Sequence, residues 1–111
     1  MDQTLAEEVS LLHAQICQSL ADPTRILILY LLADGPRYVT ELAEMLDVSQ
    51  PTVSRHLKVL RDRGLVTATR EGNTVHYALH DRRVIQALDL LRQVMTDVLT
   101  ERAELAEAFT Q

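Results

Sequence analysis

The most informative segment of the sequence is residues 39–66, VTELAEMLDVSQPTVSRHLKVLRDRGLV. It predicts two short amphipathic helices joined by a tight turn and followed by a strand. Ser49 is placed to cap the second helix, because a serine hydroxyl accepts a hydrogen bond from an amide of the next turn. Pro51 suits the first turn, where a missing N–H costs nothing. Apolar residues at helical spacing mark the buried side of the second helix: Val53, Leu57 and Leu60.

The outer face of this second helix carries short polar side chains and two bases, with no acid before Asp62. Its members are Gln50, Thr52, Ser54, Arg55, His56 and Lys58. Glutamine, serine and threonine suit base edges in a major groove, and arginine and lysine suit phosphates or guanine. The alternative is an ordinary surface helix, but such helices usually carry Glu–Lys pairs at i, i+4 spacing. We therefore predict that this helix recognises DNA, in the arrangement of a helix-turn-helix over residues 39–62.

The composition limits the classes of protein to which the chain can belong. Its 111 residues, 47% of them hydrophobic, predict one small globular domain over residues 1–111. An apolar run of 18 residues and a secretion leader are both missing, so we expect no membrane span and no export. The single cysteine fits a reducing cytoplasm. Because the sequence holds no phosphate-binding glycine loop, nucleophile motif or carboxylate–histidine cluster, we predict that the protein is not an enzyme.

The net charge of −5 at first argues against binding to nucleic acid. The charge is unevenly distributed, however, because residues 49–80 hold five bases and two acids. These bases are Arg55, Lys58, Arg61, Arg63 and Arg70. Every other part of the chain is acidic. A local basic patch on an acidic body still attracts phosphate, so the charge pattern agrees with the predicted recognition helix.

Two outer helices are predicted at the ends of the chain, one over residues 4–20 within the segment 1–20 and one over residues 82–108. The first has one apolar stripe, formed by Leu5, Val9, Leu12, Ile16 and Leu20. The last follows a heptad rhythm, widened by Ile85, Val94 and Leu99, whose main members are Val84, Leu88, Leu91, Met95, Val98 and Leu105. This stripe is longer than a monomer of this size needs for its own core, so we expect the outer helices to form a two-fold dimer interface.

A central helix and a β-hairpin complete the predicted fold, which is mainly α. Asp22-Pro23 begins a helix that is apolar on nearly all sides and therefore belongs in the core. Residues 65–79 predict a hairpin directly after the helix-turn-helix, with its turn at residues 71–73. Such a hairpin is a wing. Arg70 and Asn73 at its tip are candidates for contact with DNA, although an arginine beside a turn can equally be a solvated charge.

Three stretches resemble the ArsR family of bacterial winged-helix repressors. They are ADPTRILILYLLADGP at 21–36, ELAEMLDVSQPTVSRHLKVLRDRGLV at 41–66 and REGNTVHYAL at 70–79. The resemblance covers essentially the whole chain, because the flanking helices match the dimerising elements of the family. It implies a cytoplasmic homodimer that binds an operator and represses a nearby promoter. Carried over by position, the residues facing DNA are Gln50, Thr52, Ser54, Arg55 and His56, and Ser49 caps their helix.

The sites by which this family senses metals are not intact in the sequence. Arsenic and cadmium sensors carry a Cys-x-Cys-type pair where this chain reads VTELAEML, which has no cysteine. Zinc sensors carry Asp-x-His and a later His-x-x-Glu on the last helix, but here Arg83 follows Asp81 and the second histidine is missing near Val94. The family sites therefore do not identify the effector, whether it is a metal, a metalloid or an oxidant of thiols.

His13 and Cys17 are the remaining candidate metal ligands. At i, i+4 spacing they share one helix face, and two copies across a dimer axis complete the four ligands that Zn²⁺ prefers. One alternative is a buried cysteine beside a surface histidine. Another is a thiol switch between two Cys17 residues of a dimer.

Two functions follow from the residues. The first is a homodimeric repressor that binds an inverted-repeat operator. The second is a winged-helix protein-interaction module with weak or lost DNA binding, which the acidic outer helices permit. Salt dependence separates them, because phosphate contacts weaken steeply as salt rises.

Overall fold

The computed structural model describes residues 1–110 and contains five α-helices and three β-strands among them. In chain order these are α1 (Gln3–Leu12), α2 (Pro23–Leu32), β1 (Arg37–Tyr38), α3 (Val39–Leu46), α4 (Gln50–Asp62), β2 (Val66–Glu71), β3 (Thr74–Leu79) and α5 (Arg83–Thr110). The chain divides into two compact units, residues 1–81 and a second unit that begins at Arg82 and contains α5. The first unit is a winged helix-turn-helix, so the predicted fold class is confirmed.

Helix α2 lies in the core of the first unit, as its apolar sequence predicts. Asp22 caps the helix, because its Oδ1 accepts a hydrogen bond from the Thr24 amide at 2.8 Å. Pro23 occupies the first helical position. Ile28 and Leu29 have no exposed surface. Burying two such side chains contributes about 1.5–3 kcal/mol each, so α2 is the element against which the rest of the first unit packs.

Helices α3 and α4 form the helix-turn-helix with the predicted bounds, 39–62. Asp47 ends α3 in the left-handed conformation, with φ of 54°, which an aspartate tolerates better than most residues. Ser49 then caps α4. Four apolar side chains of the motif have no exposed surface: Leu42, Val53, Leu57 and Leu60. The predicted buried side of α4 is therefore confirmed.

The wing belongs to a three-stranded antiparallel sheet with strand order β1-β3-β2. The predicted hairpin is present, but its first strand runs on through Glu71, which pairs with Thr74. The turn is thus the two residues Gly72-Asn73 rather than residues 71–73. Gly72 has φ of +61°, and glycine at the first position of a two-residue loop is typical of a type II′ turn. Strand β1, which pairs Tyr38 with His76, was not predicted.

The N-terminal segment is not the single helix over residues 4–20 that the stripe predicts. Helix α1 ends at Leu12, a π-helical turn follows over His13–Cys17, and a 3₁₀ turn spans Ser19–Ala21. The Gln18 amide donates to the His13 carbonyl at 3.0 Å, which is the five-residue spacing of a π-turn. The extra residue in this turn shifts the apolar side chains that follow it around the helix axis, relative to the apolar side chains of α1. The side chains of the α1 part of the stripe, Leu5, Val9 and Leu12, are about half exposed.

Helix α5 begins and ends close to the predicted bounds of 82–108. Every residue from Leu90 to Thr110 is exposed. Its exposed large apolar side chains include most of the predicted heptad stripe: Leu90, Leu91, Val94, Met95, Val98, Leu99, Leu105 and Phe109. Across residues 1–110, the model contains no helix that is both long enough and apolar enough to span a bilayer.

The charge on Asp22 provides a test of how the first unit is held together. Burial raises the pKa of the Asp22 carboxyl, but the Thr24 hydrogen bond, the charge of His56 and the amide and guanidinium of Arg25 together hold its pKa below the ordinary 3.8. A carboxyl with a lowered pKa in the folded state stabilises that state above its unfolded pKa, and the contribution is lost as pH falls through the lowered value.

We expect Asp22→Asn to keep the helix cap and to lose only the stabilisation due to charge. Urea unfolding at neutral pH should therefore show a lower free energy of unfolding for the variant than for the parent. The difference should shrink as pH falls below 3.8, because the parent carboxyl then becomes neutral too. A difference that stays constant down to the acid transition would contradict this account of Asp22.

Candidate DNA-recognition surface

The first turns of α4 carry a chain of hydrogen bonds between polar side chains. The Ser49 Oγ accepts from the Thr52 amide at 3.3 Å and lies 2.8 Å from the Thr52 hydroxyl. Arg55 donates from Nη2 to that hydroxyl oxygen at 3.2 Å. The chain follows from i, i+3 spacing, which places neighbours on one helix surface. Three of the predicted site residues are therefore brought together and oriented before any ligand binds.

The structure exposes most of the predicted recognition face. Gln50, Ser54, Arg55 and Lys58 are exposed, whereas Thr52 is half-buried with its hydroxyl turned to Ser49. Lys58 forms an ion pair with Asp62, with Nζ and Oδ2 3.0 Å apart. Both side chains are well exposed, so the pair is worth less than about 1 kcal/mol.

His56 differs from the other predicted site residues, because it is half-buried rather than open to solvent. Its Nδ1 lies 3.3 Å from Nη1 of Arg25 in α2. Sequence reasoning did not place Arg25 at the recognition helix. The signal that points to it is a lone arginine in the first turn of a helix that is otherwise apolar, where a buried charge needs partners.

The wing residues Arg70 and Asn73 are both exposed. Arg70 donates from Nε to the carbonyl of Gly72 at 3.2 Å, so its side chain folds over the turn. This bond holds the guanidinium at the tip of the wing while its other N–H groups stay available. The geometry permits contact with a phosphate, and the role of both residues stays a prediction.

The candidate metal ligands His13 and Cys17 lie on the π-helical turn, and both are exposed. The interpretation of Cys17 as a buried cysteine is therefore wrong. Residues 1–110 of a single chain contain no group of three or more His, Cys, Asp or Glu side chains arranged to hold a metal ion. Two ligands are fewer than the three or four that protein zinc sites use, so one chain does not form such a site by itself.

A three-helix core, a capped polar helix in a helix-turn-helix and a wing define a winged helix-turn-helix transcriptional regulator. The family model described as "Bacterial regulatory protein, arsR family" matches residues 22–68. The HTH-type transcriptional regulator CmtR of Mycobacterium bovis is 46% identical over 94 residues, which is 85% of this chain and 80% of CmtR. The chain belongs to the arsR family of bacterial regulatory proteins.

Two further similarities agree with this membership. A probable mercury resistance operon repressor of Streptomyces lividans is 39% identical over 84 residues, covering 76% of this chain and 67% of the repressor. The solution structure of the homodimeric winged helix-turn-helix DNA-binding domain Mb0332 from Mycobacterium bovis has a TM-score of 0.74. That similarity covers 89% of this chain and 91% of the domain at 30% identity.

The capping role of Ser49 is testable by stability alone. We expect Ser49→Ala to lower the free energy of unfolding by about 0.5–2 kcal/mol, because the Thr52 amide loses its acceptor. Ser49→Asp should retain most of the stability, since aspartate caps equally well. Ser54→Ala is the matched control, because this exposed serine lies in the same helix and should change stability by less than about 0.5 kcal/mol. Urea unfolding at one protein concentration measures all three, and equal losses for both alanine variants would refute the cap.

Proposed function

We propose that the protein is a homodimeric repressor in which each subunit places α4 in the major groove of one half-site of an inverted-repeat operator. The observation that carries this proposal is the exposed polar face of α4. It holds Gln50, Ser54 and Arg55 together, and Arg55 is already oriented by Thr52. The chemistry of these side chains matches base edges and phosphates. A two-fold dimer sets two such helices about 34 Å apart, one turn of DNA, or a multiple of that distance.

The proposed dimer rests on the exposed apolar stripes of α1 and α5. Along α5, exposed leucine, valine and methionine side chains continue from Leu90 to Leu105. A stripe of this length on a helix, interrupted only at Arg102, is typical of a subunit interface rather than of a solvated surface. The similar Mycobacterium bovis domain is described as homodimeric. We infer that the first and last helices supply the dimer interface here.

We propose repression, and a cytoplasmic location beside the DNA, from the family and the repressor similarity rather than from a side chain. The effector that releases DNA is a separate question. One similar protein is a probable repressor of a mercury resistance operon, which favours a metal or a thiol reagent as the class of effector. His13 and Cys17 would need ligands from a second chain to hold a metal. A titration of operator DNA with and without chelator, and then with thiol oxidant, tests this class.

The second candidate function is a protein-interaction module with little DNA binding. The acidic balance outside residues 49–80 permits it. The salt dependence of complex formation decides between the two functions, because an interface with phosphate weakens steeply with salt whereas a protein interface need not. Tight, salt-sensitive binding to the DNA upstream of its own coding sequence supports the repressor. Salt-insensitive binding to a protein partner alone supports the module.

The recognition role of Arg55 predicts a sequence-specific loss. We expect Arg55→Ala to weaken binding to the operator by about 5- to 150-fold and to relax preference at one base pair, as the loss of a base contact does. Arg61→Ala removes the same charge near the other end of α4 and should weaken binding to operator and unrelated DNA alike. Fluorescence anisotropy with both DNAs measures this. Normal operator preference in Arg55→Ala would show that Arg55 does not read bases.

The dimer interface predicts a change in mass. We expect Leu91→Glu to produce a monomer at concentrations where the parent protein is a dimer, because a charge then lies in the apolar stripe of α5. Operator affinity should then fall, because a monomer contacts only one half-site. Gln93→Glu adds the same charge at an exposed position outside the stripe and should stay dimeric. Sedimentation equilibrium decides, and a dimeric Leu91→Glu variant would place the interface elsewhere.

A further inference from the structure

Arg25 links three parts of the first unit through its guanidinium group. Its Nε donates to the Ser19 carbonyl at 2.6 Å, and its Nη2 donates to the Gln18 carbonyl at 3.2 Å. Its Nη1 lies 3.3 Å from the Nδ1 of His56 on α4. The planar group is thereby held between the end of the N-terminal segment and the recognition helix. Ser19 is itself buried, so this anchor belongs to the packed part of the unit.

The contact between Arg25 and His56 determines which ring nitrogen of His56 carries the hydrogen. An arginine side chain has only donors and does not lose its proton in proteins. In a hydrogen bond with Arg25, the Nδ1 of His56 must therefore be the acceptor. A neutral imidazole that accepts at Nδ1 carries its hydrogen at Nε2. The bond thus fixes both the tautomer and the orientation of the ring.

The position of His56 on α4 makes the Nε2 hydrogen of this tautomer an oriented hydrogen-bond donor. His56 lies on the flank of α4, one turn after Thr52 and next to the exposed Arg55. The half-buried ring is held on its Nδ1 side by Arg25, and Nε2 is the nitrogen on the far side of the ring. That nitrogen is a donor whose direction is set before DNA arrives, so little side-chain entropy is lost when it finds an acceptor.

We propose that Arg25 is a positioning residue of the recognition helix. When the His56 ring is neutral, Arg25 fixes it as the tautomer with hydrogen on Nε2, and His56 then donates a hydrogen bond to an acceptor atom on DNA. The acceptor is a phosphate oxygen or the N7 or O6 of a guanine, which share the same chemistry toward an N–H group. The DNA part of this proposal rests on the proposed function, whereas the tautomer is a property of the protein alone.

The tautomer is tested on the free, full-length protein by ¹⁵N NMR of the His56 ring at a pH where the ring is neutral. We expect an acceptor-like nitrogen at Nδ1 and a protonated nitrogen at Nε2. Arg25→Met should shift the ring toward a mixture of tautomers, because methionine offers no donor. A ring protonated at Nδ1 in the parent, or one unchanged in Arg25→Met, would overturn the proposed role of Arg25. Arg25→Lys, which keeps a positive charge, provides a second variant if the methionine variant unfolds.

The DNA contact is tested by a pair of conservative variants. The amide of glutamine reaches the position of Nε2, whereas that of asparagine reaches only the position of Nδ1. We expect His56→Gln to keep operator affinity within about threefold of the parent. His56→Asn should lose about three- to tenfold for a base acceptor, the value of one neutral hydrogen bond, and more than about tenfold for an ionised phosphate oxygen. An equal loss on unrelated DNA identifies a phosphate acceptor. A loss confined to the operator identifies a base. Equal affinities for both variants would overturn the donor role.

A double-mutant cycle separates positioning through His56 from a general structural effect. If Arg25 acts through His56, then Arg25→Met should weaken operator binding in the parent and have no further effect in His56→Ala. Additive losses would mean that Arg25 acts independently, and the positioning role would be wrong. A parent protein that binds no DNA would overturn the proposed function and the donor role together, while the NMR result would still decide the tautomer.

Discussion

The burial of one side of α4 determines how this helix is oriented against the core of the first unit. Val53, Leu57 and Leu60 are completely buried. No other rotation of α4 about its own axis would keep all three side chains buried. Successive helical residues differ by about 100° around the axis, so this burial fixes the direction of every other side chain of α4. Gln50 and Arg55 are exposed for this reason, and His56 comes to lie against α2. The apolar core and the polar recognition face are thus two results of a single rotational setting.

Much of the fold could be predicted because local signals agree with the packing. Asp22 before Pro23 and Ser49 before Gln50 are both capping signals, and the structure shows both caps in use. The hydrophobic period then changes from helical to alternating after Gly64, where the wing begins. When local preference and tertiary packing point the same way, a single sequence is informative. The exposed polar face of α4 could be predicted for the same reason, since it is what remains after the buried side is assigned.

The features that were missed depend on contacts between distant parts of the chain. Strand β1 is only two residues long and exists because Tyr38 pairs with His76. No periodicity can be detected in so short a segment. The π-helical turn is the exception, because it is closed by a local hydrogen bond. Its extra residue changes the angular spacing of the apolar stripe, and the residue types alone do not indicate this change. Arg25 and His56 are 31 positions apart, so their contact appears only once α2 and α4 are packed. Local patterns carry no information on such pairs, and the candidate site was therefore incomplete where it depends on side-chain packing.

The ion pair between Lys58 and Asp62 has a consequence for the thermodynamics of binding. A lysine that meets a phosphate normally displaces condensed cations from DNA, and each such contact adds almost one unit to the slope of log K against log salt. In the proposed contact between Lys58 and a phosphate, Asp62 acts as an internal counter-ion that stays attached to the protein after Lys58 changes partner. Its carboxylate then attracts solution cations of its own, which offsets part of the release. A count of phosphate contacts taken from the salt slope would therefore be smaller than the number of basic side chains that touch the DNA backbone.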